Sequence, residues 1–337
     1  MQAASFSVPN ATYPNIDVVG EASYESQIRS QFGPLAKDQD RELFTEAVLV
    51  PEPDNPYDGN AVSVRVNQAV VGYLSRDDAR AYVPVLHRLA ASGVRTVVPV
   101  RLWGVVRTNY DGKGSRFFSN VRVALPEPHL VLPLNGAPSS QYSILPWGTG
   151  LQVTGEDKHF DVLRPYAGRA ERSLLLVTLQ RRTEEKARGG EREFIEVLLE
   201  GNRIGEMSTP SSKHYFALVE HHASQGLETA AWAQIKGSAL AAEVVLQAAK
   251  ASEVPNTYLQ GPPVLFPLLV PAAASYAVPA AYSGPPAKKA PARPRTSASA
   301  APAAVTKQAA KSGCALVLLA GMATIAGLGA AVNSFLA

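Results

Sequence analysis

The residues best equipped for chemistry sit in one stretch, Pro53-Asp54-Asn55-Pro56-Tyr57-Asp58-Gly59-Asn60. A tyrosine ring offers a stacking face. Carboxylates and carboxamides offer hydrogen-bond acceptors, so Tyr57 with Asp58 or Asn55 could hold a planar group that carries a hydroxyl. The structural alternative is a turn in which Asp58 bonds its own backbone and Tyr57 packs on the fold. Other chemistries fit less well. The spacing of Asp54, Asn55, Asp58 and Asn60 misses the calcium-loop series and lacks its closing glutamate. Gly112-Lys113-Gly114-Ser115 lacks the upstream glycine of a phosphate-binding loop and reads as a hairpin turn. His214, His221 and His222 share one predicted helix, with the first two too far apart to hold one metal without other ligands. No nucleophile, base and acid group together. The expectation is a protein that is not an enzyme and needs neither metal nor cofactor.

The elements around this stretch are those of a small sheet. Asn55-Pro56 and Asp58-Gly59 are turn dipeptides. Val62, Val64 and Val66 then alternate with Ser63, Arg65 and Asn67, the period of a half-buried strand. Asn67-Gln68 breaks the run, and Val70 to Leu74 returns. Ser75, with Asp78 three residues on, opens a helix carrying Tyr82, Val85, Leu86 and Leu89, and Gly93 closes it. Ile16 to Val19, Phe44 to Val50, Val94 to Val106 and Phe117 to Leu125 read as further strands. A short helix is expected over Tyr24 to Phe32.

Three strings together resemble the HIRAN domain: Val18-Val19-Gly20, Pro53 to Val62 with its Asn-Pro-Tyr-Asp core, and Val71-Gly72-Tyr73-Leu74-Ser75. The resemblance covers residues 14–126. It implies a small β-barrel with short helices, and characterised members hold the free 3′ end of single-stranded DNA. On that basis Tyr57 would stack on a terminal base, Asp58 or Asn55 would accept from its hydroxyl, and Tyr24, Tyr73 and Arg76 would stand at the rim. One position departs from the family pattern. DNA-holding members carry a basic residue and an aromatic just after the first Val-Val-Gly; here the chain reads Glu21-Ala22-Ser23, with Tyr24 next.

The pattern recurs. An offset of 133 pairs Val62, Val64 and Val66 with Ile195, Val197 and Leu199, Tyr82 with Tyr215, Gly93 with Gly226 and Gly104 with Gly237. Gap-free matching of this kind implies a duplicated unit. The second copy has Gln180 to Gly190 where the first has its Asn-Pro-Tyr-Asp loop, so the fold is expected to be kept and the site lost. Ala239 to Ala251 reads as an appended helix.

The chain has 337 residues, 46% of them apolar, one cysteine and a net charge of +3. A single cysteine excludes a disulfide framework and points to a reducing compartment. Residues 1–130 hold 13 basic and 14 acidic side chains, and residues 145–253 hold 13 and 15. The surplus of positive charge lies in six tail residues: Lys288, Lys289, Arg293, Arg295, Lys307 and Lys311. This balance excludes a broad electrostatic grip on nucleic acid and leaves room for a pocket that takes one strand end. Residues 253–312 are rich in Pro, Ala and Ser and read as a disordered linker. Cys314 to Val332 is a 19-residue run without charge, about the length of a bilayer core. Positive charge precedes it, so the domains would face the cytoplasm of a single-pass cell-membrane protein.

The expected architecture is mainly β with short helices. It comprises an arm over 1–13, a HIRAN-like barrel over 14–126, a linker over 127–146 and a second HIRAN-like repeat over 147–252. The disordered linker and a transmembrane helix over 313–334 follow. The expected function is membrane-tethered binding of single-stranded nucleic acid, most simply DNA 3′ ends. The alternative is a protein-interaction adaptor at the cytoplasmic membrane face, with a small ligand or nucleotide third. The sequence does not specify an oligomeric state.

Overall fold

Val62, Val64 and Val66 are fully buried and form the inner face of a strand, as their alternation requires. The computed structural model describes residues 4–109, 112–186 and 189–285. The first half of the chain supplies β1 (Ala4–Ser7), β2 (Ile16–Val19), α1 (Glu25–Ser30), β3 (Asp40–Pro51), β4 (Val62–Val66), β5 (Ala69–Leu74), α2 (Arg76–Ala91), β6 (Val94–Thr108) and β7 (Ser115–Val123). The strands run in the order β6-β3-β4-β5-β2-β7, and β7 pairs back onto β6, closing a six-stranded barrel. β1 adds in parallel to the outside of β6. The tight β4–β5 hairpin turns through Asn67 and Gln68, both with positive φ, the geometry whose twist matches the strands it joins. α2 starts where its capping pair predicts. Asp78 donates its amide N–H to Ser75 Oγ at 3.1 Å, and Ser75 donates its hydroxyl back to the Asp78 carboxylate.

The second half repeats this plan. It supplies β8 (Tyr142–Ile144), β9 (Gly150–Gln152), α3 (Phe160–Leu163), β10 (Ser173–Glu185), β11 (Glu191–Leu199), β12 (Asn202–Glu206), α4 (Thr209–Ser212), α5 (Phe216–Ser224), β13 (Glu228–Gly237) and β14 (Ala242–Gln247). The order is β12-β11-β10-β13-β14-β9, and a bridge between Thr154 and Glu206 brings the two ends together. β8 adds in parallel to β13 as β1 does to β6. Each strand of the second barrel thus has a counterpart with the same neighbours in the first.

Both barrels belong to one compact unit. The reason is legible in β10. Its residues Ser173 to Leu179 are all buried, because both faces of the strand are covered. Leu175, Val177 and Leu179 point into the second barrel's core, while Leu174 and Leu176 join the core of the first, together with Ala230 and Trp232 from β13.

Four sequence-based boundaries change. Residues 4–13, expected as a loose arm, contain β1 and bury Phe6 and Val8 against β6 and its surroundings. The expected linker over 127–146 buries Leu130, Val131, Tyr142 and Ile144 between the barrels, and its last residues form β8. Ala239 to Ala251 holds β14, not a helix. Val244 and Leu246 are buried and Glu243 is exposed, the period of a strand, and pairing with β13 outweighs the helical propensity of alanine. Residues 253–285 are not a disordered linker. They contain α6 (Asn256–Leu259) and then follow an extended path held by side chains of both barrels. Among the described residues no helix is long and apolar enough to cross a membrane. Residues 313–334, read as the anchor, lie outside the described residues.

Candidate functional site

The loop between β3 and β4 is built on a buried carboxylate. Glu52 has no solvent exposure. Its carboxylate accepts from Arg65 Nη2 at 2.8 Å, from the Tyr73 hydroxyl at 3.0 Å and from Asn55 Nδ2 at 3.0 Å. A buried carboxylate needs this many donors to offset its desolvation. Arg65 projects from the polar face of β4, and its Nε also donates to Ser63 Oγ. The alternation that buries three valines therefore places this cation under the loop.

Above Glu52 the loop stiffens itself. Asn55 Oδ1 accepts from the Tyr57 amide N–H at 3.0 Å, and Asp58 Oδ1 accepts from the Asn60 amide N–H at 2.9 Å. Both are local side-chain turns of the kind Asn and Asp favour. Asn55 is thus engaged through both ends of its carboxamide. Asp58 Oδ2 stands 3.8 Å from Arg76 Nε, and the Arg76 side chain is 81% exposed. Tyr57 is held outward, 65% exposed.

The result is an open cavity of about 280 Å³ on the first barrel. All six residues singled out by the sequence line it: Tyr24, Asn55, Tyr57, Asp58, Tyr73 and Arg76. Tyr24 comes from the turn before α1, Tyr73 from β5 and Arg76 from the first turn of α2. The rings of Tyr24 and Tyr73 lie 5.9 Å apart. Burial, then the neighbouring Tyr24 and Glu52, raise the Tyr73 pKa well above the usual phenol range, so it stays a hydrogen-bond donor.

Glu21 does not line this cavity. Its carboxylate accepts the Val121 amide N–H of β7, and burial raises its pKa. The second barrel does the same with Glu156, which accepts from the Val244 amide N–H of β14 at 3.1 Å. The acidic residue after Val18-Val19-Gly20, and after Val153-Thr154-Gly155 in the second copy, is therefore a framework group common to both. It places no negative charge among the residues that line the pocket.

Three contributors escaped the sequence reading: Glu52, Arg65 and Tyr282. The Tyr282 ring lies 6.5 Å from that of Tyr57 at 70° and lines the same cavity. Asp54 accepts the amide N–H groups of Ala281 at 2.8 Å and Tyr282 at 3.0 Å, and these hold its carboxyl below the usual range. Arg65 Nη2 donates to the Ala281 carbonyl at 2.6 Å. The available signal was a series of aromatics spaced through the Pro/Ala-rich segment, at Tyr258, Phe266, Tyr276 and Tyr282.

The corresponding place on the second barrel is a different surface. His159 stands where Tyr24 does and Glu206 where Tyr73 does, and both line a cavity of about 630 Å³. Arg192 bonds Glu206 at 2.5 Å and Glu184 at 2.8 Å, and Arg203 bonds Glu206 at 2.6 Å. The guanidinium of Arg192 also covers the Phe194 ring at 4.3 Å. These charges pair with one another. The three histidines of the predicted helix do not converge either. His222 is buried against Thr229 Oγ1 at 2.9 Å and the Tyr258 hydroxyl at 3.2 Å, while His221 meets the Leu259 carbonyl. Among the described residues no group of three or more His, Cys, Asp or Glu side chains is placed to hold a metal ion.

Residues 32–104 match the family model of the HIRAN domain. The match spans β3 to most of β6, including the loop and α2, and covers about a fifth of the chain. Tyr24 lies ahead of it and the second barrel beyond it. No curated protein and no solved structure matches the chain.

Proposed function

We propose that this HIRAN domain binds nucleic acid by holding the end of a single strand, most simply a DNA 3′ end, in the tyrosine-lined pocket. The observation that carries the reading is the convergence of Tyr24, Tyr57 and Tyr73 with Asp58 and Arg76 on one open cavity. The exposed Tyr57 ring supplies a stacking face. Asp58 Oδ2 is the acceptor not engaged by the loop's own backbone and is suited to a terminal hydroxyl. Arg76 is the cation within reach of a phosphate, at the amino end of α2, whose dipole adds to the attraction. With so little positive charge, affinity should fall only shallowly with salt. The chemistry is binding, with no catalytic step assigned to any residue.

A fluorescence titration with single-stranded oligonucleotides tests this. Tyr57→Ala is expected to weaken binding by about 1–3 kcal/mol. Asp58→Ala should erase the preference for a free 3′ hydroxyl over a 3′ phosphate. Equal affinity of the wild type for free and blocked ends would reject end binding. The second reading is a protein-interaction adaptor. It is favoured by one observation: the same loop and the strand after it grip an extended peptide, Ala281-Tyr282, through Asp54 and Arg65. Binding to a tyrosine-containing peptide and to no oligonucleotide would put that reading first.

The tether at the cell membrane through residues 313–334, with the barrels on the cytoplasmic side, belongs to the same proposal. Its support is the uncharged run and the lysines before it. Deleting residues 313–337 should move the protein from the membrane fraction to the soluble one.

A further inference from the structure

We propose that Tyr282 is a ligand-contacting wall of the first barrel's pocket, delivered to it by a strap that the second barrel anchors. The inference rests on the reading of the pocket given above. It adds to the site a residue that follows Asp54 by 228 positions.

The strap begins beside β8. The Ile144 amide donates to the Val264 carbonyl at 2.9 Å, and the Phe266 amide donates to the Tyr142 hydroxyl at 3.1 Å. The Phe266 ring then packs edge-on against Phe6 at 5.6 Å and Trp232 at 6.1 Å, one residue from each barrel. At the carboxyl end of α2, Arg88 Nε donates to the Val270 carbonyl at 3.0 Å and Ser92 Oγ accepts the Val270 amide at 2.9 Å. The path ends at the loop, where Asp54 and Arg65 take two amides and a carbonyl of Ala281-Tyr282. A segment of Pro and Ala has few large side chains to bury, so an ordered course depends on such clamps on its backbone.

The tip is matched to the pocket. Both oxygens of the Asp54 carboxylate lie within bonding distance of the Tyr282 amide, and the Tyr282 hydroxyl donates to the Pro285 carbonyl at 3.0 Å. The ring is therefore fixed at both ends. The cavity of about 280 Å³ stays open beside it. The strap walls the pocket and does not fill it. A base entering against Tyr57 meets a second aromatic at an angle, an arrangement that adds contact without requiring a particular base. Asp54 and Arg65 are positioning residues for this wall.

The test uses the full chain and a fluorescent ten-residue oligothymidylate with a free 3′ hydroxyl. Tyr282→Ala is expected to weaken binding about tenfold, and Tyr282→Phe, which keeps the ring, to stay within about twofold of wild type. Ala281→Pro removes the amide that Asp54 accepts and should shift affinity in the same direction as Tyr282→Ala. Binding by Tyr282→Ala that equals or exceeds wild type would overturn the proposal, and tighter binding would identify the strap as a competitor. Tyr57→Ala separates the two layers of inference. If it weakens binding and Tyr282→Ala does not, the wall alone is wrong. If the wild type binds no oligonucleotide, the pocket reading falls and the wall falls with it.

Discussion

The two barrels share a framework and differ in what stands on it. Gly72 and Gly205 occupy the same place in β5 and β12, with φ of 148° and 155°. A Cβ would meet Val18 Cγ1 at 2.4 Å in one copy and Val153 Cγ1 at 2.6 Å in the other. Tyr82 and Tyr215 each bury their ring and donate to a carbonyl, of Pro126 at 2.7 Å and of Ala248 at 2.8 Å. Glu21 and Glu156 hold the same strand amide. On that common frame the first copy carries an aromatic pocket over a buried glutamate, and the second a set of closed ion pairs. The lesson is that the recurring residues specify the barrel. The residues that do not recur are the ones to examine for function.

The comparison can be broken at the glycines, where the effect should be largest. Gly72→Ala and Gly205→Ala each force a Cβ into a neighbouring strand at a strained φ, and each should cost about 4 kcal/mol in denaturant unfolding. A large cost in one copy and none in the other would end the claim of a common frame. Glu52→Ala should cost about 3 kcal/mol, because it takes the buried counter-charge from Arg65 and the acceptor from the Tyr73 hydroxyl beneath the loop. It should also abolish ligand binding by the first barrel.

His222 sharpens the contrast from the other side. Leu89 occupies its position in the first barrel, and both side chains are buried. Burial, and then the adjacent His221, lower the His222 pKa to about 4 from an ordinary 6.5. Above pH 6.5 the imidazole is neutral in both folded and unfolded chains. As pH falls from 6.5 to about 4, the unfolded chain takes up the proton first, so stability is lost across that window. The loss should approach 3 kcal/mol in unfolding experiments run at successive pH values. His222→Leu should remove this part of the acid sensitivity, and a profile unchanged by it would refute the assignment. The smallest effect belongs to the tyrosine pair. Tyr82→Phe and Tyr215→Phe should each lower stability by about 1 kcal/mol and by similar amounts, since each leaves one buried carbonyl without its donor.

Much of this was readable in the chain. The valine alternation, the Asn67-Gln68 turn, the Ser75 cap and the constant offset between copies are local signals, and each element they name is present. The six pocket residues were also identifiable: the Asn-Pro-Tyr-Asp string and the hairpin after it supply Asn55, Tyr57, Asp58 and Tyr73, and the positions after Val-Val-Gly and after the second hairpin strand supply Tyr24 and Arg76. The misses have a common physical cause. β14 looks helical by composition, since Ala239 to Ala251 is alanine-rich, yet its partner β13 decides its state. Glu52 looks like a surface acid until Arg65 and Tyr73 close over it. The segment after residue 255 looks unable to order itself, and alone it could not. Its order comes from Tyr142, Ser92, Arg88 and Asp54, none of them near it in sequence.

The doubly buried strand β10 has a consequence for the order of events during synthesis. Leu174 and Leu176, with Trp232 and Phe266, cover apolar surface that belongs to the first barrel. A growing chain exposes that surface from the time residue 125 emerges until residue 266 follows. At translation rates of about 5–20 residues per second the gap lasts several seconds or more. For that interval the amino-terminal half is a sticky intermediate awaiting its own carboxyl-terminal half, and the time at risk is set by the ribosome.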